Sequence, residues 1–189
     1  MKRVVVSGIL LVVLISCAGM KTFKGTADLH GSVFDVKNRP VANCTIFINE
    51  KEKALTDSNG RFILYGLKSG VYQIEAQSSY TETYTGEIQF LNETQYALIT
   101  VVDADTLYES IETAFEKSDY SKAEEEITRL LTINKTNPNA VMYMAVLRYK
   151  EKNSEAALRI LRDAESRGIS DIWMKKFIEK LEAEDEKNS

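Results

Sequence analysis

Histidine, tryptophan, proline and cysteine are all scarce here: one His, one Trp, two Pro and two Cys among 189 residues. The lone histidine, His30, has no cysteine or acidic cluster beside it, so the sequence offers no metal site and implies no cofactor. No serine sits in a nucleophile-elbow motif, which leaves a Ser–His–Asp arrangement without support. No glycine-rich phosphate loop occurs. Asp35 and Asp57 are the only carboxylates to weigh as an acid–base pair. Both occupy turn positions, where capping the backbone is the expected role. The chain is therefore expected not to be an enzyme. Lys and Arg number 24 against 28 Asp and Glu, a net charge of −4, so no basic patch invites nucleic acid. Acidic runs such as Glu124-Glu125-Glu126 suit solvated helix faces.

Also missing is an apolar run long enough to cross a bilayer comfortably, which takes roughly 20 residues. Residues 4–15 are apolar except for Ser7 and Gly8, and they follow the basic pair Lys2-Arg3. A basic head, a short apolar body and small residues at the end make a secretory signal peptide. Leu14-Ile15-Ser16-Cys17 resembles the lipobox of bacterial lipoproteins. The resemblance implies cleavage after residue 16, lipidation of Cys17 and a mature chain in the envelope, outside the cytoplasm. A single acyl chain anchors only marginally, at about 0.8 kcal/mol per buried methylene, whereas the family's cysteine carries more than one. Ala18 lacks the aspartate that marks inner-membrane retention in some bacteria, which favours the outer membrane. The other reading is an uncleaved anchor with an incidental cysteine. Without residues 1–16 the chain keeps 22 basic and 28 acidic residues, a charge of −6. Residues 17–26 form a tether whose Lys21 and Lys24 meet either head groups or solvent. Cys44 is then the only free thiol, so no intramolecular disulfide forms. Its alternation with Ile46 and Ile48 places it in a core.

The hydrophobic period changes near Asp103. Up to residue 102, apolar and polar residues alternate: Leu29 and Val33; Cys44, Ile46 and Ile48; Phe62 and Leu64; Ile74 and Ala76; Ile88 and Phe90; Ala97, Ile99 and Val101. Short alternating runs between Ser-Asn-Gly, Lys-Ser-Gly and Asn-Glu turns predict an antiparallel β-sandwich of six or seven strands over 27–103. Gly31-x-Val33-x-Asp35, Pro40-Val41, Ile46-x-Ile48, Thr56-Asp57-x-x-Gly60-x-Phe62 and Gly70-x-Tyr72 follow in order. This series resembles the carboxypeptidase regulatory-like domain, a small prealbumin-like sandwich. The resemblance implies a fold and no peptidase activity. Gly60 is expected at positive φ, with Gly70 doing similar work before Tyr72. Asn38 and Asn43 stand where relatives place glycine, and asparagine tolerates the left-handed region better than most residues.

From residue 104 the spacing turns helical, with Leu107, Ile111, Ala114 and Phe115 three and four apart. Ser118-Asp119-Tyr120-Ser121-Lys122-Ala123 returns as Lys152-Asn153-Ser154-Glu155-Ala156-Ala157, a shift of 34 residues. This period resembles the tetratricopeptide repeat, although the usual tryptophan is missing and Ile111 and Ala145 replace a small glycine. An ordinary helical bundle is the alternative. Ser121-x-x-Glu124 predicts a capping box, Asn137-Pro138 a helix start, and Gly168 a helix stop. A last helix from Asp171 to about Glu184 caps the array, which places the helical domain at 104–185 and a disordered tail at 186–189.

If the repeats pack as the resemblance implies, the first helix of each pair lines a concave side. That side would present Tyr108, Glu112 and Phe115 with Met142, Val146 and Tyr149, a surface suited to an extended or helical segment of another envelope protein. The same residues could instead pack internally. The expected function is thus a membrane-anchored, non-catalytic interaction or assembly module. The alternative is a carbohydrate-binding lipoprotein using the sandwich, with Tyr80 and Tyr84 as its clustered aromatics.

Overall fold

The computed structural model describes residues 22–188. The predicted signal peptide and Cys17, with the start of the predicted tether, lie outside the described residues. Seven strands come first: β1 (Thr26–Asp35), β2 (Thr45–Ile48), β3 (Lys51–Leu55), β4 (Arg61–Lys68), β5 (Gly70–Gln77), β6 (Tyr84–Phe90) and β7 (Tyr96–Val101). Five helices follow: α1 (Ala104–Glu116), α2 (Tyr120–Ile133), α3 (Pro138–Lys150), α4 (Ser154–Ser166) and α5 (Ile172–Asn188). The change of period at Asp103 is the boundary between a β-sandwich and helical hairpins. Among the described residues, no helix is long and apolar enough to cross a membrane.

The sandwich sheets are ordered β4-β1-β7 and β3-β2-β5-β6. All pairings are antiparallel except β1 with β7, which run parallel from His30↔Tyr96 to Asp35↔Val101. The expectation of a wholly antiparallel sandwich is corrected in this one pair. Between β1 and β7 the chain travels through the other sheet, and a crossover of that length can return in the same direction. The strand the alternation did not single out is β3, whose Lys-Glu-Lys-Ala-Leu is charged. It forms because Asn49 and Glu50 both adopt positive φ, 47° and 65°, the twist a two-residue hairpin needs.

Leu29, Val33, Cys44, Ile46, Leu64, Ile74, Phe90 and Ile99 fill the space between the sheets. Cys44 is fully buried, and burial pushes its thiol up to about 11, so it is an inert core residue at neutral pH. Asn38, Asn43 and Gly60 take positive φ as their positions required. A Cβ at Gly60 would collide with the Val33 carbonyl. Gly70 departs from expectation: it has no positive φ and opens β5 where the chain passes from one sheet to the other. The tether is also shorter than 17–26, because Phe23 packs edge-on to Phe90 with ring centroids 5.1 Å apart.

In the helical half, α1 packs on α2 and α3 on α4, with α5 against α4. Asp103, Asn137 and Asp171 cap α1, α3 and α5 through their side chains, and they stand 34 residues apart. Asp119 and Asn153 cap α2 and α4 at the same interval. The cap of α2 is therefore Asp119, which accepts from the Lys122 N–H at 3.0 Å, rather than Ser121. Asp119 lies two residues earlier, just outside the helix, where its carboxylate reaches a free N–H group of the first turn. Gly168, at φ 77°, ends α4 as expected, with the Ile169 N–H returning to the Ala164 carbonyl at 2.9 Å. Helix α5 continues through the polar segment to Asn188, where the sequence predicted an unstructured tail.

The halves are joined by more than the chain. The Ala104 N–H donates to the Tyr80 carbonyl at 2.9 Å, and the Glu82 N–H to the Val102 carbonyl at 2.8 Å. Arg129 of α2 grips Glu82 with two bonds of 2.8 and 2.7 Å and Glu126 with a third of 2.7 Å. Arg39 bridges Asp35 and Asp103 across the junction. Lys37 reaches Glu109 of α1 at 2.6 Å.

Candidate functional site

A groove of about 630 Å³ runs over the helical half, lined by α1, α3 and the start of α5. Helix α1 contributes Tyr108, Glu112 and Phe115. Helix α3 contributes Asn139, Met142, Tyr143 and Val146, and Asp171 with Trp173 closes one end. The spacing explains the array. Positions 108, 112 and 115, like 139, 142, 143 and 146, repeat every three and four residues, so each set shares one helix face.

The aromatic side chains brace one another. Tyr143 stacks on Phe115 with centroids 6.1 Å apart and leans on Tyr108 at 6.0 Å. Its hydroxyl donates to Glu112 at 3.0 Å. Burial, and then the bond to Glu112, push the Tyr143 phenol up to about 12, so it stays a donor across the physiological range. Asn137, the cap of α3, donates its side-chain amide to the Tyr108 hydroxyl at 2.8 Å. Trp173 stands 65% exposed, with the Lys176 ammonium 4.9 Å from its ring centre. Asp171 spends one carboxylate oxygen on the N–H groups of Trp173 and Met174, each at 2.8 Å.

Five of the six residues expected on the concave side meet here. Tyr149 does not. Its ring packs edge-on to Phe177 at 5.5 Å, its hydroxyl donates to Glu184 at 3.2 Å, and Lys180 lies over its face. Helix α5 covers it. Phe115 is itself half-buried against the helical core, so the groove and internal packing share that side chain. Sequence reasoning missed Asn139, Tyr143, Asp171 and Trp173. The repeat could have found the last: Trp173 lies 34 residues beyond Asn139, in the same place on the next helix.

The remaining candidates have structural partners. One oxygen of Asp35 accepts the N–H groups of Lys37 and Arg39 at 2.8 Å, and its other takes the Arg39 guanidinium at 2.6 Å. Asp57 accepts the N–H groups of Asn59 and Arg61, both at 2.8 Å. Tyr84 is half-buried against the sandwich core with its ring over Gly86, whereas Tyr80 is exposed.

The chain thus has two parts, a sandwich around one hydrophobic core and helical hairpins around two further clusters, with an aromatic groove on the helices. Residues 28–106 match the family model of the carboxypeptidase regulatory-like domain. No curated protein matches the chain. Among solved structures, it is similar to a chain of a type II cohesin–X-dockerin complex from Acetivibrio cellulolyticus, 22% identical, with a TM-score of 0.32 over 43% of this chain and 60% of that one. The chain thus spans less than two thirds of that relative. It is also similar to the major pilin subunit of Bacillus cereus, 16% identical, TM-score 0.33, over 41% of this chain and 28% of that one. A proposed carbohydrate-binding protein of Pseudomonas aeruginosa is 15% identical, TM-score 0.31, over 40% of this chain and 88% of that one.

Proposed function

We propose that this chain is a lipid-anchored, non-catalytic protein of the bacterial envelope, in which tetratricopeptide-like hairpins hold a segment of another protein. The observation that carries the reading is the aromatic groove, with Trp173 standing 65% exposed at its end. A large aromatic ring left open beside methionine and valine is the makeup of an interface anchor. The charged residues of the lining, Glu112 and Asp171, are both acidic. The occupant is therefore an apolar segment that also bears a lysine or arginine. The repeated caps at 103, 137 and 171 support the tetratricopeptide likeness, and the signal and Cys17 box support the anchor.

The test is a double substitution, Phe115→Ala with Trp173→Ala. Anchors of this kind contribute about 2 kcal/mol or more to an interface, roughly a thirtyfold change in affinity. Co-purification of the partner from detergent-solubilised envelopes should be lost. Trp173→Ala alone should weaken it while leaving the thermal midpoint within about a degree or two, since a surface truncation costs little. Unchanged partner recovery with both aromatics gone overturns the groove.

A further inference from the structure

We propose that a second site, on the sandwich, binds an acidic oligosaccharide. It is independent of the groove on the helices. A cleft of about 730 Å³ lies where β3 meets the outward face of the β4-β1-β7 sheet, lined among others by His30, Lys53, Asp57, Arg61, Tyr65 and Tyr96. The strand register puts these side chains together. His30 pairs with Ile63 on one side and Tyr96 on the other, and Arg61, Ile63 and Tyr65 alternate onto the same face.

The charge of the cleft points to its ligand. Among the described residues, every other arginine is in a salt bridge: Arg39, Arg129, Arg148, Arg159, Arg162 and Arg167. Arg61 is in none, and neither is Lys53. In a chain with net charge −4, Arg61 and Lys53 outnumber the one carboxylate of the cleft, Asp57, and are placed for an anion. The planar guanidinium suits a carboxylate in particular, which it binds with two parallel bonds. The carboxylate of Asp57 already holds the turn before Arg61.

The aromatic residues decide what carries the anion. Tyr65 is 73% and Tyr96 53% exposed. The Tyr96 hydroxyl is bonded to the Ser32 hydroxyl, two residues along β1 from its register partner His30, so the ring leans over the sheet. A pyranose has an apolar C–H face that stacks on such a ring and hydroxyls at its edge for His30 and Asp57. A uronic acid adds the carboxylate that Arg61 and Lys53 lack. A simple acidic peptide has the anion without the flat apolar face.

The probe is tetragalacturonate, titrated calorimetrically into the detergent-purified full chain, with maltotetraose and tetraglutamate alongside. Tetragalacturonate should bind, and Arg61→Gln and Tyr65→Ala should each weaken it about tenfold or more. Trp173→Ala should leave it unchanged. Both side chains altered are at the surface, and circular dichroism should confirm an unaltered fold. Equal affinity for maltotetraose overturns the anion site, and equal affinity for tetraglutamate overturns the saccharide. Absence of binding by tetragalacturonate, or binding insensitive to both substitutions, overturns the proposal outright.

Discussion

Single residues do sharply different work here according to what surrounds them. Cys44 and Cys17 are the clearest contrast. Cys44 alternates with core residues, is sealed from water, and has its thiol pushed up to about 11, which leaves it without reactivity near neutral pH. Cys17 follows a short apolar run and small residues, a setting that suits processing and acylation. If Cys17 is the acylation site, metabolic labelling with palmitate should mark the native chain and not Cys17→Ala, which should accumulate as a longer precursor. Label on the substituted chain would remove the lipoprotein reading. Aspartates show the same dependence on place. Asp35 and Asp57, the acid–base pair the sequence offered, each commit one oxygen to two backbone N–H groups, and Asp35 gives its other to the Arg39 guanidinium.

At the scale of elements, helix starts carry the repeat more plainly than the apolar positions do. Asp103, Asn137 and Asp171 each satisfy first-turn N–H groups, so α5 starts at the same 34-residue interval that separates α1 from α3. That is why Trp173 enters the groove while the far part of α5 covers Tyr149. The cap of α2 separates two readings of one sequence. Asp119→Ala should cost about 1 kcal/mol, while Ser121→Ala, at an exposed position, should stay within about 0.5 kcal/mol. Urea unfolding of the two variants measures the difference. A larger loss at Ser121 would restore the capping box as the true start.

The whole molecule is held by carboxylates at the junction, and this makes it acid-sensitive. Glu126 is 3% exposed. Burial alone would raise its carboxyl, but Lys122, Arg129 and Ser110 outweigh burial and hold it below the ordinary 4.5. Asp35 behaves alike: burial is outweighed by the N–H groups of Arg39 and Lys37 and by the Arg39 guanidinium, which hold it below 3.8. A carboxylate with a depressed value adds stability above its unfolded value, and that stability is lost as pH falls through its folded value. The thermal midpoint should therefore be steady near neutral pH and fall below about pH 4.5. Glu126→Gln should be less stable at neutral pH by about 2 kcal/mol. The gap should close as acid protonates the native Glu126. A gap that persists at low pH would mean that packing, rather than charge, sets the effect.

How much could be read beforehand follows from range. Strand against helix, the break at Asp103, the buried Cys44, and the left-handed Asn38, Asn43 and Gly60 all depend on neighbours a few residues away, and the amino-acid order was enough to determine them. Local period also puts Tyr108, Glu112 and Phe115 on one helix face and Met142 and Val146 on another, but that the two faces meet was only what the tetratricopeptide resemblance implied. Only the tertiary structure decided that β7 returns parallel to β1, that α5 hides Tyr149 and brings Trp173 to the groove, and that Arg129 ties α2 to Glu82. It also decided that Arg61 and Lys53 stay unpaired beside two open tyrosines. Each depends on which distant surfaces meet, and that is settled when apolar faces pack against one another, an attraction without direction that local pattern does not encode.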